Sequence, residues 1–350
     1  MLAASSKIQK NKLLETLCCP SCNGKLSQLA NAQTSAAEVT LECLPCGETF
    51  PVIDGIPRML LARMREALSG AGVQSDADKQ KAATAESFGY EWNQFSQMLD
   101  EYERNFFEYM QPRAPEFFRG KLILDAGCGS GRHAHYSAKF GATVFGVDLG
   151  SAIYVAKRNT DQFDSVLISQ ADLYNLPFAL ESFDFIYSMG VLHHLPEPEA
   201  AFRNLLRFLK PGGEIHIYLY WQPESQPVKN ALLRIINLTR RITTRLPHKL
   251  LHLLSYPAAM LAFLLFVYPY KLMRHIPGLK KIAGKLPMKQ YANYPFRVCV
   301  NDQFDRFSAP IENRYTKTEV IAWFERAGFE NIDVRPNSGW CASGRKPLNS

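Results

Sequence analysis

The stretch from Leu122 to Arg132, Leu-Ile-Leu-Asp-Ala-Gly-Cys-Gly-Ser-Gly-Arg, places the strongest limits on the fold. Its apolar start predicts a buried parallel strand, and the glycines predict a turn that opens a helix at about Arg132. Glycine lets backbone approach a ligand closely, and a helix N-terminus presents free N–H groups. Asp125 stands just before this turn, where a carboxylate suits a cationic amino group better than a pyrophosphate.

Two further acidic residues follow apolar segments in the same way. Asp148 ends the segment Thr-Val-Phe-Gly-Val-Asp, 23 residues after Asp125, where it can accept hydrogen bonds from both hydroxyls of a ribose. A solvated, helix-capping aspartate is the alternative interpretation. Asp172 follows the apolar segment that begins at Val166. Carboxylates after successive strands predict one ligand site at the carboxyl edge of a sheet.

The segment Asp-Ala-Gly-Cys-Gly-Ser-Gly at residues 125–131 resembles motif I of the class I S-adenosylmethionine-dependent methyltransferases. The next hundred residues resemble the remaining motifs in order, as in quinone-biosynthesis methyltransferases. The resemblance implies an α/β fold with a doubly wound, mostly parallel, seven-stranded Rossmann-like sheet. It implies S-adenosylmethionine as cosubstrate, with Asp172 and Leu173 at the adenine. The expected cofactor-binding residues are Asp125, Ala126, Gly127, Gly129, Gly131, Asp148, Leu149, Asp172, Leu173, Ser188 and Met189.

The run Leu-His-His-Leu contains the candidate catalytic residues His193 and His194. A histidine near the transferred methyl group can serve as a general base for a hydroxyl or phenol acceptor. The run is frequent in the family across different acceptors, so a packing or hydrogen-bonding role at a helix start is the alternative.

Four cysteines form two Cys-x-x-Cys pairs near the N-terminus, Cys19 with Cys22 and Cys43 with Cys46. Four thiolates at this spacing predict a tetrahedral structural zinc site, although Cys18 can replace Cys19. A disulfide is the alternative, which a reducing compartment disfavours. The segment Phe-Pro-Val-Ile-Asp-Gly-Ile-Pro at residues 50–57 is similar to the end of the zinc-ribbon domain related to activators of tRNA methyltransferases.

The formal net charge of +7 is concentrated in one segment, because residues 225–301 contain thirteen Lys and Arg and no Asp or Glu. Apolar residues between Val228 and Leu246 recur at helical spacing, which predicts a cationic amphipathic helix. The eleven apolar residues 258–268, between Pro257 and Pro269, are too few to span a membrane. We therefore expect a helical lid at an anionic membrane surface. Nucleic acid is the less favoured partner, and a self-packed substrate lid is the third interpretation.

These patterns predict five parts of the chain. Residues 1–62 form the zinc ribbon, and residues 63–84, rich in small and polar side chains, form a linker. Residues 85–224 form the methyltransferase core, and residues 225–300 form the basic, apolar helical insertion. Residues 301–350 complete the core.

The predicted function is transfer of a methyl group by in-line displacement to a small-molecule acceptor, apolar or lipid-like. An RNA methyltransferase, or a non-catalytic S-adenosylmethionine-binding partner that docks through its zinc ribbon, is the alternative. No apolar signal-peptide core follows Met1, so we expect a cytoplasmic protein, peripheral at the inner membrane face. The motifs describe the methyl donor and leave the acceptor atom and the oligomeric state open.

Overall fold

Three neighbouring parallel strands position the candidate site, namely β5 Leu122–Ala126, β6 Thr143–Asp148 and β7 Val166–Ala171. The computed structural model describes residues 13–29, 39–71, 75–224 and 226–348. Two units can be separated, one formed by Met1–Glu224 with Ile311–Ser350 and one by Ser225–Pro310. We call the first the sheet unit and the second the helical unit.

The sheet unit contains eleven strands and seven α-helices within the described residues. The strands are β1 Leu26–Leu29, β2 Val39–Cys43, β3 Thr49–Ile53, β4 Ile56–Met59, β5 Leu122–Ala126, β6 Thr143–Asp148, β7 Val166–Ala171, β8 Phe183–Met189, β9 Leu209–Leu219, β10 Glu330–Pro336 and β11 Trp340–Arg345. The helices are α1 Ala62–Ser69, α2 Asp76–Gln94, α3 Glu101–Met110, α4 Arg132–Lys139, α5 Ala152–Thr160, α6 Pro198–Leu206 and, after the helical unit, α12 Lys317–Arg326.

Seven strands form the predicted mostly parallel sheet, in the order β7-β6-β5-β8-β9-β11-β10. The first five are parallel, and β11 is antiparallel to both β9 and β10. Buried aliphatic and aromatic side chains from these strands pack against helices, as the α/β class requires. The α/β fold class is therefore confirmed, although the complete sheet has eleven strands where seven were expected. At α12, Thr316 and Glu319 form a reciprocal capping box.

The N-terminal strands extend this sheet to eleven members. Strands β1 to β4 are antiparallel neighbours, and β4 then pairs in parallel with β7, Arg58 opposite Gln170 and Met59 opposite Ala171. Arg58 is 7% exposed, and its guanidinium donates to Tyr154 Oη at 2.7 Å and to Gln170 Oε1 at 3.3 Å. The predicted ribbon is thus part of one continuous sheet with the core.

The linker expected at residues 63–84 is mostly helical, because it contains α1 and the first half of α2. Its alanines are strong helix formers, and Ser75 caps α2 by accepting a hydrogen bond from the Asp78 N–H. Lys81 and Thr84 are buried, so this part of α2 packs against the sheet unit. The second half of α2 and the whole of α3 are rich in aromatic residues.

The helical unit contains α7 Pro227–Thr243, α8 His248–Ala262, α9 Tyr268–Met273, α10 Lys280–Ala283 and α11 Phe296–Ser308. A π-helical turn, Phe263–Val267, joins α8 to α9, so that His248–Met273 is one continuous helical stretch of 26 residues. Pro257 lies inside α8 and does not end it, so the apolar helix is longer than the eleven residues expected. By length and composition alone this stretch can cross a membrane.

We expect the Arg58→Ala substitution to lower the free energy of unfolding by about 1–3 kcal/mol, because it removes a buried guanidinium together with its two hydrogen bonds. Urea unfolding followed by circular dichroism measures the change. Arg63→Ala, at an exposed position of α1, is the matched control and should stay within about 0.5 kcal/mol of the unsubstituted chain. Equal stabilities of the two variants would contradict a structural role of the contact between β4 and β7.

Candidate cofactor site and metal site

The glycine turn after β5 has a backbone that few other residues can adopt. Gly127, Gly129 and Gly131 all have positive φ, at 86°, 50° and 75°. A Cβ atom at Gly127 would lie 2.4 Å from Val191, and one at Gly131 would lie 2.8 Å from the backbone of Ala156. Gly131 is also the N-cap of α4. The turn therefore needs glycine both for its conformation and for its close packing.

Asp125 lies in β5 and is 1% exposed. In the register between β5 and β8 it stands opposite Tyr187, whose hydroxyl donates to Asp125 Oδ2 at 3.3 Å. Burial, together with the negative charge of Asp148, raises the pKa of Asp125 to about 8. Among the described residues, no Lys, Arg or His nitrogen lies within 4 Å of this carboxylate. A buried carboxylate without a cation fits the amino group of an amino-acid ligand.

Asp148 is the last residue of β6, and its carboxylate connects two loops through hydrogen bonds. Its Oδ2 accepts a hydrogen bond from the Gly129 N–H at 3.0 Å, and its Oδ1 accepts one from the Gly150 N–H at 2.9 Å. Burial raises the pKa of Asp148, and these backbone hydrogen bonds oppose that effect. Because a carboxylate offers about four acceptor positions, Asp148 can still accept from a further donor such as a ribose hydroxyl. The backbone of the neighbouring Leu149 is fixed by a bond from Gln170 Nε2 to its carbonyl at 2.9 Å.

Asp172, just after β7, makes a buried ion pair that we did not predict. Lys81 Nζ of α2 lies 2.7 Å from Asp172 Oδ2 and 2.8 Å from Asp78 Oδ1. The other oxygen of Asp172 accepts from the Tyr174 N–H at 3.1 Å. Lys81 was missed because its segment resembles a linker. The signal that reveals the helix is Ser75 followed by Asp76 and Asp78, an N-cap with acidic residues in the first turn.

Three of the expected cofactor residues make hydrogen bonds or packing contacts within the fold. The Ser188 hydroxyl of β8 is fully buried and donates to the Ala126 carbonyl of β5 at 2.8 Å, so it joins the two strands. Met189 is partly buried and packs against the core around β5. Leu173 is 6% exposed, and its carbonyl accepts from Asn204 Nδ2 at 2.7 Å.

Aromatic residues from the helices before β5 cover the glycine turn. The indole of Trp92 in α2 lies so close to Gly129 that a Cβ atom there would be 2.9 Å from Nε1. The Arg132 guanidinium lies 5.4 Å from the ring centroids of both Trp92 and Tyr102. Through these contacts, side chains from α2 and α3 cover the first turn of α4.

The two candidate catalytic histidines are buried. His193 stacks on Tyr220 with a ring-centroid distance of 3.9 Å, and His194 Nδ1 lies 2.6 Å from the Ile311 carbonyl. Burial, with smaller effects from His194 and the Arg314 cation, lowers the pKa of His193 well below its ordinary value. A low pKa makes His193 a weak base, so these contacts favour the packing alternative for both rings.

The Sγ atoms of Cys19, Cys22, Cys43 and Cys46 all lie within 4.8 Å of one another. Three of the distances between them are 3.4, 3.5 and 3.7 Å. A tetrahedral zinc ion with Zn–S bonds of about 2.3 Å needs sulfur atoms about 3.8 Å apart, so the four thiols fit this metal. Cys18 lies outside the cluster, and its N–H donates to the Pro177 carbonyl at 2.9 Å.

Comparison with known proteins identifies two segments of the chain. Residues 124–217 match the family described as methyltransferase domain, and residues 10–55 match the family described as Trm112p-like protein. The chain is 38% identical over 99 residues to the ubiquinone biosynthesis O-methyltransferase of Coxiella burnetii, which is 28% of this chain and 42% of that protein. It is 34% identical over 112 residues to phosphoethanolamine N-methyltransferase 2 of Caenorhabditis elegans, with 31% and 26% covered.

A similar solved structure is a chain from a complex that contains the Haloferax volcanii Trm112 methyltransferase activator, with a TM-score of 0.42 and 15% identity. The match covers 79% of this chain and 100% of that one. Our chain spans less than half the length of the two relatives named above. The matched segment, from β5 to β9, contains the glycine turn and all three carboxylates.

We expect Gly131→Ala to lower the free energy of unfolding by about 3 kcal/mol or more, because it adds a steric clash to an unfavourable φ. Gly70→Ala is the matched control, with a φ of 76° and no atom within 4 Å of the added Cβ. It should cost only about 1 kcal/mol. Thermal and urea unfolding measure both, and equal costs would show that Ala156 does not restrict the turn.

We expect removal of zinc by a strong chelator, or the Cys43→Ser substitution, to lower the melting temperature of the whole sheet unit, because the ribbon strands continue the central sheet. The loss should exceed 10 °C, on the order of several kcal/mol. Metal analysis should find about one zinc per chain, as four thiolates bind one ion. Cys18→Ser is the control and should retain the metal, and loss of zinc from that variant would contradict the assignment of Cys19.

Proposed function

Because the chain contains a methyltransferase domain and a Trm112p-like segment, we propose that it is an S-adenosylmethionine-dependent methyltransferase with a small, apolar or lipid-like acceptor. The observation that carries the proposal is the Asp125 carboxylate, buried beside the glycine turn with Tyr187 as its hydrogen-bond donor. The cosubstrate carries both a cationic amino group and a positively charged sulfonium, and binding of these cations favours the ionised form of Asp125.

Each carboxylate is assigned to one part of the cosubstrate. Asp125 holds the amino group, and Asp148 accepts from the ribose hydroxyls with the lone pairs that its two loop contacts leave free. Asp172 and Leu173 contact the adenine, and Lys81 keeps Asp172 in place through the buried ion pair. The glycine turn lets the backbone approach the methionine part without steric conflict.

The bound cosubstrate supplies an electrophilic methyl group on sulfur. The residues of this chain align that methyl group with an acceptor and exclude water, since the transition state is less charged at sulfur than the reactant. Trp92, which lies against Gly129, supports the exclusion of water from the methionine end. His193 and His194 act in this proposal by packing near β9, so that methyl transfer does not depend on proton removal by either ring.

The class of acceptor is inferred from the rest of the chain. The two relatives named above differ in the acceptor atom that their names give, oxygen in one and nitrogen in the other. The basic, apolar helical unit supports a lipid-like acceptor and a location in the cytoplasm at the inner membrane face. RNA is less favoured, since Lys25 is the only Lys or Arg between Cys18 and Pro57 in the ribbon.

A non-catalytic partner protein is the second candidate, favoured by the Trm112p-like segment. In this chain the last ribbon strand, β4, is already paired with β7 of the same chain. That pairing uses one edge of the ribbon sheet and supports a role of the ribbon within its own enzyme.

We expect the chain to bind S-adenosylmethionine in calorimetry and Asp125→Asn to weaken binding at least tenfold, about 1.4 kcal/mol, because the amino group loses its ionic partner. Asp100→Asn, at an exposed carboxylate, is the control. Transfer of a labelled methyl group to lipid or RNA extracts of cells lacking the gene then identifies the acceptor class. No binding of the cosubstrate would favour the non-catalytic partner.

The ligand-free Asp125→Asn variant should unfold no more easily than the unsubstituted chain at pH 8. An unfolded aspartate ionises near pH 3.8, whereas Asp125 keeps its proton in the fold up to about pH 8. Between these values the folded chain binds more protons than the unfolded chain, so this group makes stability fall as pH rises. If Asp125→Asn weakens binding of S-adenosylmethionine without lowering the free energy of unfolding, the defect therefore lies in the site and not in folding.

A further inference from the structure

The helical stretch His248–Met273 is apolar on two opposite sides. One side, which includes Leu251, Ala259, Phe263 and Val267, is buried within the helical unit, where the ring of Phe263 lies 5.1 Å from that of Phe296 in α11. The other side exposes large apolar side chains. Six of them are between 54% and 71% exposed, namely Leu253, Met260, Leu261, Leu264, Leu265 and Leu272.

Such a surface differs from the single exposed leucines that are normal in soluble proteins. The six side chains recur at helical spacing over twenty residues, so they form one continuous stripe. Helix α7 carries a shorter stripe of the same kind, formed by Ile235, Leu238 and Ile242, which are each more than 60% exposed. Both stripes need an apolar environment that the described residues of the helical unit do not supply.

The charged residues that flank the stripe indicate the chemical nature of the surface that covers it. Arg241, Arg245 and Lys249 stand at or before the start of the long helix, and Arg274, Lys280 and Lys281 follow its end. All six are exposed, and residues 225–301 contain no carboxylate to neutralise them. An apolar face with exposed cations at both ends complements a bilayer with anionic headgroups. Nucleic acid would use the cations but not the leucines.

The packing of α11 decides between a helix that crosses the bilayer and one that lies on it. The stretch of 26 residues is about 39 Å long, which exceeds a hydrocarbon thickness of about 30 Å. Helix α11 packs against α8 and carries Asp302, Asp305 and Arg306. A crossing helix would carry these charges into the hydrocarbon, where each is costly. A helix in the plane of the surface keeps α11 on the water side.

We propose that His248–Met273 lies in the plane of an anionic membrane surface, with its exposed stripe in the acyl boundary and its flanking cations at the headgroups. The inference deepens the lipid-like acceptor of the proposed function, since a surface-bound enzyme meets acceptors dissolved in the bilayer. Membrane binding itself does not depend on methyl transfer, so the two can fail separately.

Sedimentation of the full chain with phosphatidylglycerol vesicles and with phosphatidylcholine vesicles tests the proposal. We expect binding to the anionic vesicles that weakens at least tenfold between about 0.1 M and about 1 M salt. The triple variant Leu253→Gln, Leu261→Gln and Leu264→Gln should lose binding, with no loss of fold because these side chains are exposed. The control variant Leu180→Gln with Leu348→Gln changes leucines of the sheet unit that are 47% and 70% exposed, and it should bind normally.

Calorimetry with S-adenosylmethionine on the same proteins should give equal affinities, which separates this test from that of the proposed function. Equal vesicle binding by the triple variant and its control would overturn the proposal. So would self-association in the absence of vesicles that the triple variant abolishes, because a second copy would then cover the stripe. Resistance to extraction by salt and alkaline carbonate would indicate a crossing helix and would overturn the in-plane orientation.

Discussion

The free-energy cost of burying negative charge determines how the carboxylates at the carboxyl edge of strands β5, β6 and β7 are stabilised. Three carboxylates lie there, and each is stabilised in a different way. Asp148 accepts two backbone N–H groups, Asp172 is paired with Lys81, and Asp125 has only the hydroxyl of Tyr187 as a side-chain donor. The difference supports the role proposed for Asp125, because a buried carboxylate without a close cation gains from a cationic ligand.

Much of this site follows from local sequence patterns. The run from Leu122 to Arg132 predicts a strand, a glycine turn and a helix, since each glycine has a positive φ that other residues resist. The spacing of the four cysteines predicts their cluster, and Thr316 with Glu319 predicts a helix start. In all three cases the interacting groups are close in sequence or belong to a motif with a fixed spacing.

The features that sequence did not reveal depend on contacts between distant segments. Arg58 and Gln170 are 112 residues apart, and no local pattern indicates that β4 pairs with β7. Tyr187 becomes the partner of Asp125 only through the register between β5 and β8. Pro257 suggested a helix end, but the helix continues through it because neighbouring packing outweighs the loss of one hydrogen bond.

The pairing of β4 with β7 has a consequence for synthesis of the chain. Without β4, strand β7 would be the edge of the parallel core and would present unpaired N–H and C=O groups to other molecules. Strand β4 therefore protects the parallel core from edge-to-edge aggregation. During translation, however, β4 leaves the ribosome more than a hundred residues before its partner. The backbone groups of β4 that will pair with β7 therefore stay unpaired until β7 emerges.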